Sequence, residues 1–159
     1  MRKLKPVVLS ILEHPDFTNN LQNIHDLPPQ KTINALFSFL CSADKSIKNN
    51  AVIAMGEVVS RMAESNLESA RTVMRRLLWS LNEESGWIGW GSAEALGEIM
   101  ARNETLAQEY HNLLISFVTE GNNNYLLYDK LRDEVVLGLR RLSQVHPKLI
   151  QEVQHLLAN

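Results

Sequence analysis

Three ten-residue segments of the chain superimpose without gaps, and this internal repeat is the feature that most restricts the fold. They begin at positions 47, 88 and 131 and read IKNNAVIAMG, IGWGSAEALG and LRDEVVLGLR. Each follows a separate stretch in which apolar residues recur three and four positions apart, the spacing of one face of an α-helix. The repeating unit is therefore predicted to be a helical hairpin of about forty residues, the size that stacks into α-solenoids.

Helices are predicted along the whole chain. The prolines lie near its two ends, and residues 30–146 contain none, so long helices can run there without interruption. Strictly alternating apolar and polar residues, which indicate half-buried strands, are missing. We predict an all-α fold with helices at 6–13, 17–26, 31–41, 45–63, 67–82, 87–102, 105–119, 129–145 and 148–157. The repeat register predicts one continuous core that contains Ala54, Met55, Val58, Ala95, Leu96, Ile99, Leu139 and Leu142.

The repeated segments resemble HEAT repeats, and more narrowly the bacterial HEAT-like repeats that are also found in phycobilisome lyases. The family pattern is an acidic turn, an aliphatic residue followed by a basic one, and a small residue followed by Leu-Gly. It is carried here by Asp44, Ile47-Lys48, Ala95-Leu96-Gly97 and Leu131-Arg132. Gly89 departs from it, because a basic residue is usual at that position. The segment 81–99 is similar to a group of small HEAT-repeat proteins from anaerobic bacteria.

This resemblance covers roughly residues 30–157 and implies a short α-solenoid of about three hairpins. Residues 1–159 are then one domain. Residues 1–28 are expected to form capping helices at the N-terminal end, and the last helix is expected to cap the other end. Terminal hairpins need such caps because they have only one neighbour.

Composition argues against several classes of protein. The 159 residues carry 16 Lys and Arg against 18 Asp and Glu, a net charge of −2, whereas nucleic-acid binders usually carry a basic surplus. Cys41 has no second cysteine to pair with, so nothing calls for an oxidising compartment. The apolar stretch after the basic start is too short for a signal peptide or a membrane span. We expect a cytoplasmic protein that binds neither nucleic acid nor membrane.

Trp90 is the strongest candidate for a binding residue. On a helix over 87–102, with 100° per residue, it falls opposite the apolar stripe. Its neighbours there are the small residues Gly86, Ala93, Gly97 and Ala101. Two interpretations stay open. Either the small residues let helices approach closely and Trp90 fills the remaining gap in the core, or the second helices of the hairpins line a concave groove with Trp90 as its aromatic anchor.

The same register in the other repeats predicts the rest of this groove. The candidate groove residues are Asn49, Trp90, Asp133, Glu94, Glu98, Arg140 and Arg141. In the same register the groove carries four basic groups, Lys48, Arg132, Arg140 and Arg141, and five acidic groups, Glu57, Glu94, Glu98, Asp133 and Glu134. This near balance of charge argues against a phosphate backbone as the ligand. Another protein or a peptide segment, with both polar and apolar contacts, is the partner that such a surface favours.

The connection before the third repeat is longer than the others and contains Tyr125 and Tyr128. Residues such as the three consecutive asparagines at 122–124 favour turns. We expect the two tyrosines at one end of the groove, beside Trp90. The alternative is that Leu126 and Leu127 form a short turn packed against the core.

No catalytic, cofactor or metal site is predicted. The histidines show neither close pairing nor the spacing of a zinc site, and no glycine-rich loop follows a strand. We therefore predict a non-catalytic protein–protein interaction module or assembly factor, whose oligomeric state stays open. The alternative is an enzyme of the HEAT fold, similar either to the lyases that attach bilins or to DNA glycosylases. A glycosylase needs a basic groove, which this chain lacks.

Overall fold

The computed structural model describes residues 3–82 and 89–158, and all regular structure in these two ranges is helical. The α-helices are α1 (Leu4–Glu13), α2 (Phe17–Asn20), α3 (Pro29–Leu40), α4 (Lys45–Ser65), α5 (Leu67–Trp79), α6 (Ser92–Arg102), α7 (Glu104–Ser116), α8 (Asp129–Ser143) and α9 (Gln154–Leu157). Two 3₁₀ helices, Leu21–Asp26 and Pro147–Val153, precede α3 and α9. The fold is all-α, as the sequence predicts.

Single asparagines make two of the sharpest turns between helices. Asn66 ends α4 and begins α5, and its side chain accepts a hydrogen bond from the Ser69 N–H. Asn103 does the same between α6 and α7, where its side chain accepts from the Leu106 N–H. A short polar side chain satisfies a backbone N–H that the first turn of a helix leaves without a partner. One residue is therefore enough to reverse the chain at each place.

The longer helices form two rows. In the first row, α6 packs between α4 and α8. Each neighbouring pair of helices is joined near its start and again further along, α4 and α6 by Lys48–Glu94 and Glu57–Arg102, α6 and α8 by Gly91–Glu134 and Glu98–Arg141, so the three helices run in the same direction. In the second row, Arg76 of α5 donates to Asn34 of α3 (2.6 Å), and Arg71 of α5 pairs with Glu109 of α7 (2.7 Å). The core lies between the rows.

Small residues bring α6 and α8 into backbone contact. A Cβ atom added at Gly97 would lie 2.5 Å from Gly138 Cα and closer still to the Gly138 carbonyl oxygen. A Cβ atom added at Gly138 would overlap the Ala93 carbonyl oxygen. The sequence left open whether the small residues near Trp90 allow helices to pack closely or surround a groove. At Gly97 and Ala93 the structure supports close helix packing. Gly86 lies outside the described residues.

The predicted core is confirmed. All eight residues named from the repeat register are buried in one cluster, and Leu96 has no exposed surface. At the ends, Leu12 and Phe17 near the N-terminus and Ile150, Val153 and Leu157 near the C-terminus are buried in the same cluster. None of the helices in the described ranges is both long and apolar enough to cross a membrane.

The start of α6 departs furthest from the prediction, since the other helix ends agree with it to within three residues. A helix was expected over 87–102, but α6 begins at Ser92, and Gly91 before it has a positive φ of 78°. Trp90 therefore lies in the turn that precedes α6, so the angular argument that placed it on one face of this helix is wrong. The contacts of this turn with its neighbours determine where Trp90 lies. Residues 83–88, which include Gly86, lie outside the described residues.

Candidate functional site

Two glycines hold the turn that carries Trp90. A Cβ atom at Gly91 would lie 2.5 Å from the Leu40 carbonyl oxygen, at the end of α3. A Cβ atom at Gly89 would lie 2.6 Å from the Ser80 carbonyl oxygen, just after α5. The turn therefore passes so close to the backbone at the ends of α3 and α5 that only glycine fits on either side of Trp90.

Trp90 packs edge-on against Tyr128. The ring centroids are 5.6 Å apart and the ring planes cross at 81°, an arrangement in which the positive edge of one ring faces the negative face of the other. Tyr128 is the residue before α8 and is 44% exposed, whereas Trp90 is partly buried against the core. Of the two tyrosines that were expected beside Trp90, Tyr128 contacts it, whereas Tyr125 packs against the Arg132 guanidinium.

A partly buried group of charges lies beside this aromatic pair. Lys48 Nζ donates to Glu134 Oε2 at 2.6 Å and lies 3.7 Å from Glu94 Oε1. The other Glu134 oxygen accepts the Gly91 N–H at 2.8 Å, so this carboxylate also fixes the turn that carries Trp90.

Two carboxylates share one ammonium group in this cluster. Burial raises the pKa of Glu94, and the nearby Glu134 carboxylate raises it further, while Lys48 opposes the change. The repeat register had placed Lys48 and Glu134 among the charged groups of the groove, and the structure brings the two together as an ion pair.

Two predicted groove residues are engaged within the protein. Arg141 Nε donates to Glu98 Oε2 at 2.6 Å. Glu98, which is buried, also lies 3.7 Å from Arg102, and Arg102 pairs with Glu57 at 2.5 Å. Glu57 in turn contacts His25 Nε2 at 2.9 Å. This chain of charges runs from the first 3₁₀ helix across α4 and α6 to α8.

The remaining predicted residues are spread over the surface. Arg140 Nε donates to the Leu157 carbonyl oxygen at 3.3 Å, next to α9. Tyr125 lies under the Arg132 guanidinium, whose carbon is 4.9 Å from the ring centroid. Asn49 and Asp133 are exposed near the starts of α4 and α8. The structure thus brings Trp90, Tyr128 and Glu94 to one end of the first row, and it gives Glu98, Arg140 and Arg141 partners within the protein.

A second surface is lined by residues that the sequence did not single out for binding. The ends of α5 and α7 and the connection before α8 surround a cavity of about 890 Å³. Large apolar side chains are exposed there, namely Trp79 (54%), Leu113 (41%) and Leu127 (76%). Of the predicted residues only Tyr125 lines it. The sequence feature that could have indicated this surface is Trp79, a tryptophan near the end of a predicted helix.

No protein-family model, curated protein or solved structure gives a significant match to this chain. The resemblance to HEAT-like repeats therefore stays a prediction. Within the described ranges, no three histidine, cysteine or acidic side chains come together in a way that would hold a metal ion.

Proposed function

We propose that the protein is a non-catalytic interaction module, a short α-solenoid of HEAT-like hairpins that binds a segment of another protein along the row of α4, α6 and α8. The observation that carries this proposal is the contact between Trp90 and Tyr128 at one end of the row. Tryptophan and tyrosine supply much of the free energy at protein interfaces, because each combines a large apolar surface with a polar tip.

The surroundings of the pair support a protein ligand. Leu137 on α8 is 45% exposed, Asn49 and Asp133 are exposed, and Glu94 is partly exposed. A peptide segment offers apolar side chains together with polar backbone groups, which suits such a mixed surface. The two rows of helices, with the helices of the first row all pointing the same way, support the solenoid part of the proposal.

The proposed location of the module is the cytoplasm. The chain has only one cysteine, and disulfide chemistry gives it no reason to be in an oxidising compartment.

The test is a selection of binding peptides from a random display library on the immobilised protein, followed by titration of the best peptide against variants. Trp90→Ala and Tyr128→Ala should each weaken binding, Trp90→Ala by about 2 kcal/mol or more, which is roughly thirtyfold. Trp79→Ala is the matched control, because it removes an exposed tryptophan from the other row. It should leave the affinity unchanged.

A thermal melt of each variant separates binding from folding. If Trp90 acts mainly in the interface, Trp90→Ala should remain folded with a nearly unchanged melting temperature. A loss of about 3–5 kcal/mol of stability, the cost of removing a core tryptophan, together with unchanged peptide affinity would contradict the proposal. So would a selected peptide that depends on Trp79 and is indifferent to Trp90.

A further inference from the structure

The cavity beside the second row is large enough for a small organic ligand. Its volume of about 890 Å³ falls within the range of about 300–1,000 Å³ that small-molecule sites occupy. Four aromatic side chains line it, namely Trp79, Tyr110, Phe117 and Tyr125, and leucines from α5, α7 and the connection before α8 fill the space between them. Tyr110 and Phe117 are themselves buried, so the apolar surface that a ligand can reach is mainly that of Trp79, Leu113 and Leu127, which come from three separate segments of the chain.

The lining carries a single charge. Of the described residues around the cavity, Arg75 alone is ionised at neutral pH, and the other polar groups are asparagine amides, tyrosine hydroxyls and backbone. Among the described lining residues, a ligand with one negative charge would therefore meet one complementary cation. A dianion would leave a charge without a partner next to an apolar wall, and a cation would be repelled by Arg75.

Arg75 can exchange its present partners at little cost. Its Nη2 donates to Glu68 Oε1 at 2.7 Å and to Thr72 Oγ1 at 3.4 Å, and the Arg75 and Glu68 side chains are 54% and 64% exposed. Exposed ion pairs of this kind contribute little to stability. Glu68 also pairs with Arg71 at 3.4 Å, so it keeps a cation nearby when Arg75 turns to a ligand.

We propose that this cavity binds a small amphiphile with a flat or aliphatic apolar body and one carboxylate or sulfonate group, the body lying against Trp79 and the anion meeting Arg75. The side-chain amides of residues 122–124 lie on the rim of the cavity. They would hydrogen-bond to those polar atoms of the ligand that stay at the cavity opening. Neither Trp90 nor Tyr128 lines the cavity, so ligand binding here does not require the contact between them.

The probe for the test is anilinonaphthalene sulfonate, which has an aromatic body and one sulfonate and fluoresces when it leaves water. It should bind the full-length protein with a stoichiometry of one by isothermal titration. Trp79→Ala should weaken binding by about tenfold or more, and Arg75→Gln by about tenfold. The affinity of the wild type should also fall with added salt, whereas that of Arg75→Gln should not. Leu156→Ala is the control, because it removes an exposed leucine from α9, outside both proposed surfaces.

Competition identifies the charge requirement. Decanoate should displace the probe at a lower concentration than decanol, because only decanoate carries the negative charge. Leu113→Ala provides a second variant of the apolar wall if Trp79→Ala lowers the melting temperature. Equal displacement by the two competitors overturns the proposal, as does equal probe affinity in Trp79→Ala and Leu156→Ala. Binding of several probe molecules, unaffected by these variants, also overturns it and indicates a docking face for another protein.

Discussion

Replacing Gly97 by alanine tests whether the backbone contact between α6 and α8 holds the first row together. The new methyl group would lie 2.5 Å from Gly138 Cα, whereas two carbon atoms in contact need about 3.5–4.0 Å. The Cα atom and the carbonyl oxygen of Gly138, which obstruct the methyl group, belong to the backbone of α8 and cannot rotate away. The two helices must therefore separate by about 1 Å along this contact.

The expected cost follows from two opposing effects. Overpacking a close-packed interior costs about 1–3 kcal/mol, and a backbone obstruction places Gly97→Ala near the upper end of that range. Alanine in a helix interior recovers about 1 kcal/mol relative to glycine. The variant should therefore lose about 2 kcal/mol of the free energy of unfolding, which for a chain of this size lowers the melting temperature by about 4–8 °C.

Gly56→Ala is the matched control for this measurement. It makes the same change in the interior of α4, but the methyl group there meets side-chain atoms of Glu98 and Arg102, which can rotate. Urea unfolding followed by circular dichroism should show a clearly larger loss of stability for Gly97→Ala than for Gly56→Ala. If both variants have the same midpoint, or if Gly97→Ala is the more stable of the two, the close contact of α6 with α8 does not exist as described.

Three further changes probe other parts of the fold. Leu96→Ala should cost about 2–5 kcal/mol in chemical unfolding, whereas the exposed Leu137→Ala should cost far less; equal losses would contradict the repeat register. Glu94→Gln should raise the melting temperature at neutral pH, because burial raises the pKa of Glu94 and its charged form disfavours the folded state. That gain should disappear towards about pH 3, where the carboxyl is protonated in the folded and unfolded chain alike, and a gain that persists there would refute the explanation. Deleting residues 1–26 should lower both solubility and melting temperature, because Leu12 and Phe17 cover the end of the core; an unchanged melt would show that they are not a cap.

Helical periodicity predicts most of the architecture because burial alone determines it. The bounds of α4 and the buried state of Leu96 and Ile99 follow directly from the spacing of apolar residues. The start of α6 does not, because Gly89, Trp90 and Gly91 are compatible with either a helix or a turn when taken alone. The close passage of this turn by the Leu40 and Ser80 carbonyl groups selects the turn, and that contact depends on helices distant in sequence.

The candidate site was less predictable than the fold. The repeat register brings Glu98 and Arg141 onto neighbouring helices, but it cannot show that they neutralise each other. The register also places Lys48 and Glu134 among the groove charges, but it does not indicate that Glu134 would be buried as the charged partner of Lys48. The exposure of Trp79 depends on how far α7 and the connection before α8 lie from α5. Such distances between elements are not encoded in the periodicity of any one helix.

The bond between Lys48 and Glu134 has a consequence for how the molecule opens. In a stack where each hairpin touches only its neighbours, the ends can fray one hairpin at a time. Lys48 and Glu134 are 86 residues apart in sequence, and they connect the first and third helices of the row directly. Loss of the last hairpin would leave Lys48 without its shortest ion pair and the Gly91 N–H without its acceptor. Amide hydrogen exchange in α4 and α8 should consequently occur through one shared opening, with similar protection at both ends of the row.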